Sequence, residues 1–305
     1  MDAARRAGGV DHLSLAILAA MAIGPSLASL PDLDLLRARV DDTLHAFLEE
    51  RRGDLAVTDP AAGVMVDELI RLHDAGGKRI RPVLCLLGYR ATGRQDPTPA
   101  LPAAAAIELF HMFALIHDDV MDDERERRGV PSTPLRFETE PPGGDRFGRS
   151  AAILVGDLAL VLSFALLAST PVERERLDRA TGRFWRAALT TAAGQLADVS
   201  GRWDDADRLA WLKTGAYTVE APLVIGAILG GGSDRLLAAL EGYAGPLGIA
   251  FQLRDDDLDE GDDATRAAEI DALVTRAARA LDDAALDPGT AAALRHVAAS
   301  IAMRT

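Results

Sequence analysis

The chain has a single cysteine, Cys85, set in the apolar stretch 83–87. An intrachain disulfide is therefore excluded, the residue reads as core, and a reducing, cytoplasmic setting is expected. Positive charge is scarce: 33 Lys and Arg stand against 47 Asp and Glu, a formal net charge of -14. Affinity for a phosphate backbone comes mainly from clustered Lys and Arg, so no nucleic acid partner is expected and any anionic ligand must be met locally. Runs of alternating β-branched residues bounded by hairpin turns are absent, which leaves an all-α reading, and nothing repeats at a fixed period. The N-terminal apolar stretch 13–23, behind Arg5 and Arg6, is too short to span a bilayer and is followed by Gly24 and Pro25. It loosely imitates a signal peptide with a cut near Ala28. Residues 1–30 are expected to be a peripheral extension, or the product of a start codon placed too early, and no transmembrane segment is expected.

What is present is apolar and helical. Hydrophobic residues make up 49% of the 305 positions, enough for a sizeable core in one domain or two, and Ala- and Leu-rich stretches at helical spacing dominate. Periodicity predicts a first helix from about 33, closed by Arg51-Arg52-Gly53, then helices over 62–73, 82–91 and from 100 through an aspartate cluster. Gly129, Pro131, Pro134, Pro141, Pro142, Gly143 and Gly144 predict that 127–148 is the longest loop, of the kind that serves as a lid or functional edge. Further helices are predicted over 149–167, 172–199, 204–229, 235–259, 266–284 and 288–303.

Two aspartate clusters end long apolar runs, Asp118-Asp119-Val120-Met121-Asp122 and Asp255-Asp256-Asp257-Leu258-Asp259, and both fit the spacing D-D-x-x-D. Residues three and four apart share a helix face, so each cluster can act as a carboxylate claw. The plainer reading is a solvated acidic face, in keeping with the acidic excess. Against it, the flanks 107–116 and 244–253 read as buried helix, which has little reason to carry unpaired carboxylates. A cation is expected between the clusters. Oxygen donors without a His or Cys pairing suit a hard ion, and Mg²⁺ bridging carboxylates to substrate phosphates fits that donor set.

Cations that could answer a diphosphate occur in three places. Gly76-Gly77-Lys78-Arg79-Ile80-Arg81-Pro82 puts three on a glycine-started turn at the mouth of a helix, where backbone amides and side chains can converge on one anion. Arg125 with Arg127-Arg128-Gly129 follows the first claw, and Lys213-Thr214 opens another apolar helix. Taken alone, a basic turn is usually a solvated surface feature.

Seven motifs in order resemble the trans-type isoprenyl (polyprenyl) diphosphate synthases over about 40–259. They are G-G-K-R-I-R-P at 76–82, E-L-F-H-M-F-A-L-I-H-D-D-V-M-D at 108–122, R-R-G-V-P at 127–131, G-D at 156–157, G-Q-L-A-D at 194–198, K-T at 213–214 and F-Q-L-R-D-D-D-L-D at 251–259. The resemblance implies an all-α, single-domain helical bundle over 31–305 with a central substrate cavity, and a homodimer. It implies about three Mg²⁺ ions on an allylic diphosphate, with Asp118, Asp122 and Asp255 as direct ligands and Asp119, Asp256 and Asp259 completing or orienting the shell. Arg127, Lys213 and Gln252 match groups that touch the allylic diphosphate, and Thr214 and Gln195 match groups near the nascent cation. Lys78, Arg81, His111 and Arg128 match the positions that hold isopentenyl diphosphate without metal.

The implied reaction is ionisation, condensation and elimination, for which the protein supplies position, charge stabilisation and exclusion of water. The catalytic set carried over is Asp118, Asp119, Asp122, Asp255, Asp256 and Lys213. Phe113, five residues before Asp118 and next to the small Ala114, matches a wall that stops chain growth, a pattern closer to geranylgeranyl than to farnesyl producers. Phe113 as ordinary core is the competing reading.

The chain departs from the family after Asp259. Members continue through a glycine- and lysine-bearing segment, whereas here Glu260-Gly261-Asp262-Asp263 passes directly to Ala264 and no lysine follows Lys213. A loop missing from the sequence as read, a deletion, or divergence with altered activity would each account for it. Two rival functions follow: a non-catalytic or regulatory subunit of a heteromeric synthase, and a class I terpene cyclase. The second is disfavoured by Asp255, Asp256 and Asp259 together with Lys78 and Arg81.

Overall fold

The computed structural model describes residues 31–59, 62–201, 211–260, 264–282 and 284–302. The extension expected over 1–30 lies outside them, and so do the side chains of Lys213, Thr214, Asp255, Asp256 and Asp259. Helix α1, Pro31–Thr58, buries Leu33, Leu36, Val40, Leu44 and Leu48 along one stripe. It runs past Arg51-Arg52-Gly53, where the sequence predicted its end. Arg51 pairs with Asp54 at 2.9 Å and Leu55 packs on the core, which together carry the helix over the exposed glycine.

Helix α2, Gly63–Asp74, leads through the Gly76-Gly77 turn into α3, Ile80–Arg90. A 3₁₀ turn at Thr98–Ala100 then feeds α4, Leu101–Met121. Helix α4 is the central element. Leu101, residues 103–112 and Ile116 are all buried, so it is enclosed on every side until its last two turns, with Glu108 and His111 the polar residues inside.

The predicted loop over 127–148 is mostly ordered structure. A two-residue hairpin pairs β1, Glu126–Arg127, with β2, Val130–Pro131, in antiparallel register, and α5, Thr133–Thr139, follows at once. Pro134 sits in the first turn of α5, where its missing N–H is not needed, so it marks a helix start and not a loop. The fully buried Glu68 fixes α5 to α2 by accepting from Thr133 Oγ1 at 2.7 Å and pairing with Arg136. Only 140–144 stays irregular before α6, Asp145–Ala168.

Helix α7, Arg174–Ser200, is followed after the undescribed 202–210 by a π-helical segment, Trp211–Glu220, and by α8, Ala221–Gly230. The single helix predicted over 204–229 is thus two geometries in its described part. Helices α9, Asp234–Glu260, α10, Ala264–Ala280, and α11, Pro288–Ala302, complete the bundle. Helix α4 packs most extensively on α6, α3 on α8 and α10 along α9. The α3–α8 crossing is a backbone contact. A Cβ on Gly88 would stand 2.0 Å from the Leu223 carbonyl oxygen, and one on Gly226 would stand 1.8 Å from that of Cys85. Thr98–Met121, Asp145–Ala168 and Asp234–Arg254 are long and apolar enough to cross a membrane by length and composition alone. In the bundle, α4 and α6 bury apolar faces against each other.

Candidate active site

The first aspartate cluster falls on the last turn of α4, where the apolar helix reaches the surface. Asp118 lines a cavity, and Asp122, one turn on, is the exposed C-cap, its N–H donating to the Asp118 carbonyl at 2.9 Å. Asp119 faces another way. It is 1% exposed and accepts from Arg127 Nε at 2.8 Å. Burial lifts its carboxyl above the usual range although Arg127 pulls it down, and Glu124 and Asp122 add repulsion. The structure therefore places Asp118 at the cavity with Asp122 exposed one turn beyond it, and gives Asp119 to Arg127, whose position on β1 it fixes.

Behind this end lies a basic cluster around the buried His111. Burial, and after it the charges of Arg81, Arg128, Arg127 and Arg79, push the His111 imidazole well below its ordinary range. Arg79 and Arg127 are paired with carboxylates, which leaves Arg81 and Arg128 beside His111 as the cations that could meet an anion. Arg81 reaches it from the first turn of α3, donating to Thr218 Oγ1 at 2.8 Å and Tyr217 Oη at 3.1 Å, with its guanidinium 4.6 Å from the Tyr217 ring. Arg128, left-handed at φ 55° in the hairpin turn, donates to the Gly76 carbonyl. Arg81 Nε and His111 Nδ1 are buried with no protein partner among the described residues. Lys78 stands exposed on the turn.

Arg79 has the opposite role. Left-handed at φ 51° and 6% exposed, it donates to Asp41 Oδ1 at 2.8 Å, the Gly76 carbonyl at 2.9 Å, Glu108 Oε1 at 3.2 Å and the His73 carbonyl at 2.7 Å. It ties α1, the glycine turn and α4 into one frame and holds Lys78 and Arg81 on either side of itself.

Below Asp118 the cavity is apolar, about 380 Å³, lined by Phe113, Ala114, His117 and Met121 from α4, by residues of α7 including Thr191 and Gln195, and by Tyr217. Phe113 lies on its wall, between Phe110 at 5.3 Å and His117 at 4.8 Å. Gln195 Nε2 lies 3.8 Å from Met121 Sδ, which closes α7 onto the end of α4. Gln252 sits on α9, three residues before the second cluster. Sequence reasoning missed Tyr217 and Thr218, which stand four residues beyond Lys213 and Thr214, and it missed the Asp41–Arg79–Glu108 clamp. Glu108 did carry a signal, as an acid inside an apolar run.

The described residues thus form an all-α bundle in which a cationic cluster and an acidic helix end stand beside an apolar cavity. The polyprenyl synthetase family model matches residues 64–269, and the chain belongs to that family. The large subunit 1 of the chloroplastic heterodimeric geranylgeranyl pyrophosphate synthase of Arabidopsis thaliana is 36% identical over 220 residues, 65% of this chain and 56% of its own. The farnesyl diphosphate synthase of Geobacillus stearothermophilus is 38% identical over 206 residues, 61% of this chain and 63% of its own. The chain thus spans between about half and two thirds of the length of these relatives. A crystal structure of the geranylgeranyl pyrophosphate synthase from Corynebacterium glutamicum, complexed with isoprenyl diphosphate and magnesium, matches with a TM-score of 0.81 at 27% identity. It covers 88% of this chain and 99% of that one.

Proposed function

We propose that the chain is a Mg²⁺-dependent trans-prenyltransferase. It condenses isopentenyl diphosphate with an allylic diphosphate by ionisation, condensation and elimination, and its product is geranylgeranyl diphosphate. The observation that carries this reading is the nearness of three environments: Arg81 and Arg128 beside the buried His111, Asp118 at the end of α4, and the apolar cavity that Asp118 lines. One diphosphate suits the arginines, a second suits the acidic edge through metal, and the cavity suits the tail.

The donor set fits a hard divalent ion, because Asp118 at the cavity and Asp122 one helical turn on are both carboxylates. With Asp255, Asp256 and Asp259 they would hold about three Mg²⁺ ions, which supply charge neutralisation to the departing diphosphate. The residues of the chain do the rest. Arg81, Arg128, His111 and Lys78 bind and orient the isopentenyl diphosphate, and Arg127 and Lys213 face the allylic one. Phe113, Ala114 and Tyr217 exclude water from the carbon that loses its diphosphate. The leaving diphosphate can take the proton released in elimination, so no Ser, Cys or His nucleophile is required.

The reading includes a homodimer in the cytoplasm. Its support is the exposed apolar surface of Ile153, Leu154 and Val161 on α6 and Leu189 on α7, and the single buried cysteine. The regulatory-subunit reading rests on the lysine-free stretch after Lys213.

The test is to incubate the purified chain with Mg²⁺, isopentenyl diphosphate and, separately, dimethylallyl, geranyl and farnesyl diphosphates, and to identify products by mass. A twenty-carbon product is expected, and F113S should lengthen it. Another length keeps the chemistry and discards the Phe113 wall. No product from any starter overturns the reading in favour of a subunit.

A further inference from the structure

Glu68, fully buried on α2, is a carboxylate that the proposed reaction does not use. Arg71, three residues on, forks onto it, with Nε donating to Oε2 and Nη2 to Oε1, both at 2.7 Å. The same Nη2 donates to the Pro131 carbonyl at 2.8 Å. From the other side Thr133 Oγ1 donates to Glu68 Oε1 at 2.7 Å, and Arg136 pairs with Oε2. Pro131 ends the second strand of the hairpin, and Thr133 and Arg136 lie on α5. One carboxylate thus fastens α2 to the hairpin and to the helix behind it. A buried ion pair is no better for stability than apolar residues of the same volume, but its charge-assisted bonds hold at one length and angle, so it fixes geometry.

The brace joins two segments that each carry part of the basic cluster. Helix α2 runs into the Gly76-Gly77 turn, which leads to Lys78 and Arg81, while the hairpin carries Arg127 and Arg128. The segments meet directly, because Arg128 donates to the Gly76 carbonyl and a Cβ on Gly77 would stand 3.0 Å from the Arg128 guanidinium carbon. A glycine face offers no side chain to hold the hairpin at a set distance. That distance is set further back, where Arg71 and Glu68 tie α2 to Pro131 and Thr133. Arg127 has its own anchor in Asp119, so the brace bears on Arg128.

We propose that Glu68 and Arg71 are positioning residues for the metal-free diphosphate site. They hold the hairpin against the glycine turn at the spacing that lets Arg81 and Arg128 grip one diphosphate, and they act through Arg128. The naming of that ligand as isopentenyl diphosphate rests on the prenyltransferase reading, whereas the brace can be probed with inorganic diphosphate alone.

The test compares R71M, R128M and the double variant R71M/R128M in the full chain. Binding of inorganic diphosphate and of isopentenyl diphosphate is measured by calorimetry without Mg²⁺, and an unreactive thio-analogue of geranyl diphosphate with Mg²⁺ serves as the control for the allylic side. For R71M both metal-free ligands should bind about tenfold more weakly, with the geranyl analogue within about twofold of wild type. Adding R71M to R128M should cost less than about a further twofold, because the two act as one unit. In turnover R71M should raise KM for isopentenyl diphosphate about tenfold and leave kcat and KM for geranyl diphosphate within about twofold. Unchanged metal-free binding, an equal loss for all three ligands, or a loss that adds in full to that of R128M overturns the proposal. Should R71M fail to fold, E68Q, which keeps the shape and removes the charge, is read by the same thresholds. A selective loss in a chain that makes no product sustains the brace while rejecting the prenyltransferase reading. A wild-type chain that binds neither metal-free ligand overturns the brace, and product from that same chain leaves the prenyltransferase reading standing.

Discussion

Arg79 shows how one side chain is assigned by its surroundings. The sequence placed it with Lys78 and Arg81 as one of three cations at a turn, but four acceptors from three segments hold it inside the frame. Replacing it with methionine leaves Glu108, 2% exposed, as an uncompensated buried charge, so R79M should cost about 3–5 kcal/mol in urea denaturation. A cost under about 1 kcal/mol would reject the clamp. His111 gives a pH prediction. Its folded pKa lies well below the ordinary 6.5, so the unfolded chain takes up the proton first. The stability it contributes is present above pH 6.5 and is lost as pH falls toward the folded value. H111Q should therefore flatten the acid limb of the stability curve below about pH 6.5. Inorganic diphosphate should raise the His111 pKa in an NMR titration, because an anion beside Arg81 and Arg128 offsets their repulsion; no shift would argue against an anion site there.

At the scale of elements, the helix crossings decide what glycine does. Gly226 meets the α3 backbone, which cannot swing aside as a side chain can, so G226A should destabilise by about 1–3 kcal/mol or more in thermal unfolding. Gly53 has nothing within 4 Å of its Cβ direction, and G53A should stabilise α1 by up to about 1 kcal/mol. Both are glycines inside helices, and the sequence does not distinguish them. Helix existence was legible nearly everywhere because apolar stripes such as Leu36, Val40, Leu44 and Leu48 recur at helical spacing. The region 127–148 was misread because its prolines and glycines were counted as breakers, whereas Pro134 starts a helix that Glu68 anchors from far away in sequence. The π-helical Trp211–Glu220 was not legible either, since its widened turns go with packing of Gly215 against Gly248 of α9.

For the whole molecule, the proposed dimer predicts that a charge in the exposed apolar stripe of α7 separates the copies. L189E, at a position 61% exposed, should sediment as a monomer where the wild type sediments as a dimer, and an unchanged dimer would move the interface elsewhere. Helix α10 packs along α9 although only 261–263 separate them, so the fold closes without the segment that the family resemblance led us to expect there. The all-α class, the family, and the places of Asp118, Asp122, His111 and the arginine motifs could be read from the residues in order. Those depend on local spacing along helices and turns, which is written residue by residue. It took the folded molecule to show that Asp119 serves Arg127, that Arg79 is held in the frame, that Tyr217 and Thr218 hold Arg81, and that His117 packs against Gly156. Each of these is a contact between segments far apart in the chain, set by how helices cross in a close-packed interior, and no local pattern records it.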